Sequence, residues 1–346
     1  MNEQMLQSLS ARVQHNCHIS DARHGGDYHM CTFLMKMREY YRWEKGLPFG
    51  AKLSRDGVSS WMAEREELWE SLEEEDYRPL QIDGGSFDPF EADLVNARLA
   101  PKGLVYSAGL GRKVKPHFFL GRLEQRQQPG GYSVLISDCE YARDLGAPPA
   151  MTQGRTIYLR RESLRRMLWE KLESWRWSRP NNALGRAFSC YDFEADLDEA
   201  LDAMTGMEIE AALLHEMGEY QAGLTLGEEW NRMLLELAGT PAELMARAVR
   251  DHLADCLVTL PALAQRGAPA SIHFYLGNLN PMRREIFPGL EQAYRAWRES
   301  GSTDHLADLA RGGQVHWGRL AQRMLETPPG SAAAGEIGRL VQADYL

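Results

Sequence analysis

Several things are scarce in this chain, and each scarcity excludes a class. Five cysteines in 346 residues are too few, and odd in number, for a disulfide framework; they suit a reducing compartment. No Cys-x-x-Cys pair occurs, so no zinc-finger spacing is present. No run approaches 18 apolar residues, which removes a membrane-spanning helix. The first eight residues have neither a basic nor an apolar stretch, so no secretory signal is expected. There is no Gly-x-Ser-x-Gly elbow to support a serine hydrolase. Gly109-Leu110-Gly111 lacks the third glycine and the Lys-Ser/Thr of a phosphate loop. Positive charge is also in deficit. Lys and Arg number 39 against 49 Asp and Glu, a net charge of −10, which argues against nucleic acid as a partner of the whole surface. What remains is an ordinary globular composition, 44% hydrophobic and 25% charged. The expectation is a cytoplasmic protein with no membrane or nucleic-acid partner, acting on a small-molecule substrate.

Three textures follow one another. Residues 1–80 read as helical. Met30, Phe33, Leu34, Met37, Tyr40 and Tyr41 follow the spacing of one buried helical face. Asp27 suits the N-cap of that helix and Gly46 its stop. Residues 81–160 are dense in glycine turns between strand-like runs at 103–107, 117–123, 132–137 and 156–159. Residues 161–346 return to helix, expected at 195–204, 207–222, 226–238, 241–260, 285–299, 303–310 and 315–326. Pro241 fits the first helical turn after Thr240. The fold class read from this is α+β, predominantly helical, with a bundle-like body and a small antiparallel sheet in the middle of the chain. The three regions form separate domains or one compact body.

The ten histidines are unevenly placed. His15, His18, His24 and His29 fall close together, with Cys17, Asp21, Asp27 and Cys31 among them. His, Cys and Asp are all metal-ligand types. This stretch reads as a His/Cys/Asp loop between two helices, where several side chains fold around one ion. The plainer reading makes them caps and turns.

A second cluster lies on an expected helix. At 100° per residue, Ile209, Ala212, Leu213, Met217 and Tyr220 form its buried stripe, and Glu216 projects into it. His215 and Glu219, one turn apart, share a flank and reach a common ion. The order His215-Glu216-x-x-Glu219 resembles the His-Glu-x-x-His helix of zinc metallopeptidases, with Glu in place of the second His. It also resembles di-iron carboxylate bundles, which use Glu-x-x-His in the other order. Neither departure allows an activity to be carried over. The plainer reading is a salt-bridged helix flank.

The third cluster is Arg250-Asp251-His252-Leu253-Ala254-Asp255-Cys256. His252 falls inside the apolar stripe, with Asp251 and Asp255 four apart beside it. Burying Glu216 or His252 without a partner costs several kcal/mol, so both require one. A carboxylate on one helix also suits the orientation of a ligating His on the other. The joint reading is a non-haem metal-dependent enzyme, an oxidoreductase or hydrolase. Its ligands come from His18, Asp21, His24, His215, Glu219, Asp251, His252 and Asp255, and Glu216 is the carboxylate for proton transfer. Mixed His and carboxylate donors favour iron, manganese or zinc. That reading requires His18 or His24 to lie within ligand reach of His215 or His252. The alternative is a non-enzymatic binding or scaffold protein. It would present a basic surface to an anionic partner: Arg155, Arg160, Arg161, Arg165, Arg166, Lys171, Arg176 and Arg179, interleaved with Trp169, Trp175 and Trp177.

Overall fold

Nothing between Glu3 and His24 interrupts a helix, since neither glycine nor proline occurs there. α1 (Glu3–His24) therefore runs through the segment expected to be a loop, and the His/Cys/Asp loop is corrected to a helix end. Leu9, Val13, Asn16, Cys17, Ser20 and Asp21 line one buried face at helical spacing, apolar at its start and polar at its finish. Gly25–Asp27 form a short 3-10 turn, and the N-cap position of α2 (Met30–Glu44) is His29, not Asp27. Of the stripe expected on α2, Met37 and Tyr40 are buried while Met30 and Leu34 stand exposed. Gly46 ends the helix with a φ of 60°. α3 (Arg55–Leu72) starts at Ser54, whose hydroxyl accepts from the Gly57 amide.

The computed structural model describes residues 3–111, 114–328, 330 and 332–346. Met1 and Asn2, read for a targeting signal, lie outside the described residues. The sheet is not the small antiparallel one expected. β1 (Leu80–Ile82) and β2 (Gly85–Phe87) form a two-stranded sheet, followed by α4 (Ala92–Leu99). Five further strands form a mixed sheet in the order β3-β4-β5-β7-β6. They are β3 (Leu104–Leu110), β4 (Pro116–Gln127), β5 (Ser133–Arg143), β6 (Ala150–Gln153) and β7 (Thr156–Arg160). β6, which the sequence reading passed over, is the reason. It runs back along the edge and turns at Gly154, with a φ of 54°, so β7 enters beside β5 in the same direction. One face of the sheet packs Tyr106, Phe118 and Leu120 with Val13 and Cys17 of α1 and Val95 and Leu99 of α4.

Two compact units result: Met1–Glu173 with Leu197–Thr205, and Ser174–Asp196 with Gly206–Leu346. The regions 1–80 and 81–160 share the first unit. α5 (Arg161–Ser178) carries Arg161, Arg165, Arg166, Lys171 and Arg176 of the basic run. The second unit is helical, with α6 (Ala183–Phe188) and most of α7 (Leu197–Glu236), which is two helices meeting at Gly227, where φ is 69°. α8 (Pro241–Ala254) opens as expected. The Thr240 hydroxyl accepts from the Glu243 amide and the Glu243 carboxylate accepts from the Gly239 amide, a reciprocal cap ahead of Pro241. A single π-helical turn, Asp255–Thr259, leads into α9 (Leu260–Arg266). Pro261 explains it: it has no N–H, and in a regular α-helix its ring would clash with the Leu257 carbonyl.

α10 (Pro269–Asn278), α11 (Pro281–Ile286), α12 (Pro288–Ser300), α13 (Asp304–Leu325) and α14 (Ala333–Gln342) complete the unit. α13 is one helix, where two were expected on either side of Gly312-Gly313. Gly313 lies against Cys256, and a Cβ there would run into the sulfur. The core gathers Trp230, Val249, Leu253, Phe287, Tyr294 and Trp317. Among the described residues, no helix is long and apolar enough to cross a membrane.

Candidate metal centre

α7 and α8 cross where Gly218 meets the backbone of Ala254, a contact so close that a Cβ on Gly218 would collide with the Ala254 carbonyl. That approach brings the flanks of the two helices together. His215, Glu219 and Asp251 each offer a ligand atom, and these atoms lie within 4.8 Å of one another. Donors around an ion with bonds of about 2.1 Å stand about 3–4 Å apart, so little rearrangement closes the site. All three side chains are partly open to solvent, and His215 is 26% exposed.

Asp255, the first residue of the π turn, is fully buried behind His215. His215 Nδ1 donates to its carboxylate at 2.7 Å. This fixes the tautomer and turns Nε2 toward Glu219, 3.5 Å away. Tyr275 of α10 donates to the other Asp255 oxygen at 2.7 Å, and Arg283 of α11 donates to that oxygen too. Arg250 donates to Glu219 at 2.9 Å. Gln314 of α13 donates to the Cys256 carbonyl at 2.7 Å, satisfying a backbone group of the π turn.

The electrostatics follow from these contacts. Burial works against a charged His215, yet Asp255 and Glu219 hold its imidazole well above the usual range. Burial alone would raise Glu219 and Asp255, but Arg250 with His215 holds the first far down, and Arg283 with His215 holds the second. Asp251 moves the other way, because burial and the neighbouring Glu219 outweigh Arg283. Four carboxylates, Glu216, Glu219, Asp251 and Asp255, stand against two guanidinium groups, Arg250 and Arg283. A proton on His215 offsets half of that excess, and a divalent cation offsets all of it. Arg250 Nε and Arg283 Nε are buried with no hydrogen-bond partner among the described residues.

The other expected ligands go elsewhere. His252 stacks on Trp317 with ring centroids 5.2 Å apart and donates through Nε2 to the Arg283 carbonyl at 2.9 Å. Burial and then Arg283 push its imidazole down to about 3, so it is a neutral core residue. Glu216 is buried and acts on Arg250. His18, Asp21 and His24 belong to the other unit and are met within it. Arg65 donates to His18 Nε2 at 2.7 Å, and burial followed by Arg65 pushes that imidazole down to about 3. Asp21 is fully buried and accepts from Lys115 at 3.1 Å and from the Leu145 amide at 2.8 Å. His24 lies 3.4 Å from Asp27. Beside Lys115, the fully buried Asp144 accepts from the Ala147 amide at 2.8 Å and lies 3.2 Å from His117.

Sequence reading missed Tyr275 and Arg283, because both fall between the helices expected at 241–260 and 285–299. Pro269 and Pro281 at first helical turns, the second after the capping Asn280, mark those helices. The basic run is largely neutralised. Arg160 pairs with Glu140, Arg161 with Glu124, Arg165 with Asp198 and Asp202, Arg166 with Glu162, and Arg176 with Glu194. Trp169 is buried against Phe49.

Fold and site together define a protein of two units, one built on a mixed sheet, the other helical with a His–carboxylate cluster. The chain belongs to a family of unknown function (DUF6866), whose N-terminal domain matches residues 8–160 and whose C-terminal domain matches residues 165–343. No curated protein and no solved structure matches it.

Proposed function

We propose that the C-terminal unit binds one divalent metal ion, of iron, manganese or zinc, and that the chain is a cytoplasmic metal-dependent enzyme. The supporting observation is the convergence of His215 Nε2, Glu219 and Asp251 from two helices, with Asp255 holding the far side of the imidazole. Three protein donors leave coordination positions open for water or substrate. An ion held in this way polarises a bound carbonyl or lowers the pKa of its water. Arg250, which donates to Glu219 at 2.9 Å, sets a guanidinium beside the three donors. Glu216, beside it in charge, holds Arg250. The substrate class that suits an open metal position beside a guanidinium is a small molecule bearing an oxyanion.

The paired arginines of α5 give no support to the reading of a basic binding surface. The test is elemental analysis of the full chain purified without chelator, with His215→Ala as the comparison. The expected result is about one ion per chain in the wild type and none in a folded His215→Ala. A wild-type chain that carries no ion, and takes up none on dialysis against manganese, iron(II) or zinc, overturns the proposal.

A further inference from the structure

A cavity of about 580 Å³ lies in the C-terminal unit between the start of α6, the end of α10 and the first turns of α12. Its volume falls in the range of small-molecule sites, about 300–1,000 Å³. None of His215, Glu219, Asp251 and Asp255 lines it. Leu276, Leu279, Phe287, Leu290 and Tyr294 form an apolar, buried floor.

The wall is cationic. Among the described residues, Arg186, Arg284 and Arg295 line the cavity against a single carboxylate, Glu291. Arg295 pairs with Glu291 at 3.1 Å. The other two are held by neutral oxygens only. Arg186 donates to the Tyr294 hydroxyl at 3.1 Å and to the Asn181 side-chain Oδ1 at 2.6 Å. Arg284 donates to the backbone carbonyls of Leu276 at 3.2 Å and Gly277 at 2.8 Å. Among the described residues, neither guanidinium has a carboxylate partner. Elsewhere in this unit Arg250, Arg266 and Arg283 are each matched by an acid, in a chain whose net charge is −10.

Two fixed, unmatched guanidinium groups at one apolar cavity attract an anion and offer it the forked donors that suit carboxylate and phosphate oxygens. His273, 2.8 Å from the Tyr294 hydroxyl, adds no charge. Burial, then Arg186 and Arg298, push it down to about 4, so it is neutral near pH 7.

We propose that this cavity binds a small organic anion, its carboxylate or phosphate monoester held by Arg186 and Arg284 and its apolar body lying on Leu279, Phe287 and Tyr294. The site shares no residue with the metal cluster and stands without it.

The test is calorimetric titration of the full chain with phenyl phosphate, benzoate and phenol. Saturable binding of phenyl phosphate or benzoate, with phenol at least about tenfold weaker, is expected; the tighter anion identifies the headgroup. Losing one charge-assisted contact weakens binding about tenfold or more, so Arg284→Gln and Arg186→Gln should each do so. Arg186→Gln also removes a tie between Asn181 and Tyr294, so Arg284→Gln is the variant that decides if Arg186→Gln does not fold. Three results overturn the proposal: neither anion saturates, phenol binds as well as the anions, or the folded variants bind like the wild type. Metal content measured on the same samples keeps this outcome distinct from that of the metal proposal.

Discussion

The N-terminal unit buries Asp21 and Asp144 around Lys115, whereas the C-terminal unit gathers Glu219, Asp251 and Asp255 around His215. Both clusters place carboxylates where water is scarce, and the difference lies in who supplies the cation. Lys115 is buried and acts on both Asp21 and Asp144, with His117 and Arg160 adding to the field on Asp144. The chain is its own counter-ion there, and the cluster is closed. In the C-terminal cluster four carboxylates face two guanidinium groups, and among the described residues no lysine pairs with them. Its ligand atoms converge on one point that is partly open to solvent. A buried carboxylate by itself therefore says little about metal; the balance of charge around it says more.

Four substitutions break or sharpen this contrast. The largest effect is expected from Lys115→Met. It strands the fully buried Asp21 without its cation, and breaking such a pair costs about 3–5 kcal/mol. Chemical denaturation of the full chain reads it, and a loss below about 1 kcal/mol would mean the cluster is not closed by Lys115. Next is Gly218→Ala, which forces α7 away from the Ala254 carbonyl. Overpacking of this kind costs about 1–3 kcal/mol, and metal affinity should fall with it because the two ligand-bearing helices part.

Glu208→Gln is a control in the same unit, outside the cluster. Burial pushes the Glu208 carboxyl up to about 7, and one of its oxygens is buried without a partner while the other accepts from Ser271. A carboxyl with a raised folded pKa binds its proton more tightly in the folded state. Stability should then be highest below the unfolded value, near pH 4–5, and fall as pH rises toward 7. The Gln variant should lose that slope and gain on the order of 2 kcal/mol above pH 7. A denaturation series from pH 4 to pH 8 measures both. The smallest effect is the most discriminating. Asp251→Asn removes one surplus negative charge, so the metal-free chain should be unchanged or more stable by about 1 kcal/mol, while ion uptake is lost. Destabilisation of the metal-free variant by more than about 1 kcal/mol would instead mark Asp251 as part of a structural ion pair.

Much of the C-terminal site was legible in the sequence, because helical period alone puts His215 with Glu219 and Asp251 with Asp255 on common flanks. That the two flanks meet was not legible. It depends on Gly218, one glycine among 31, and on a π turn that Pro261 imposes. The N-terminal histidines misled for a related reason. Their density in sequence suggested a loop around an ion, but an uninterrupted helix turns His18 toward Arg65 and Asp21 toward Lys115, a lysine some ninety residues away. The sheet was misread over β6, a four-residue strand too short to show alternation. Its presence changes the direction of β7 and with it the class of the sheet.

The most direct measurement is an anomalous difference map from crystals of the full chain soaked in zinc. The predicted result is one strong peak within about 2.0–2.2 Å of His215 Nε2 and carboxylate oxygens of Glu219 and Asp251, with nothing at Asp21 or His24. A peak beside Asp21 and Asp144, or none near His215, would contradict the assignment of the ion to the cluster whose carboxylates outnumber its guanidinium groups.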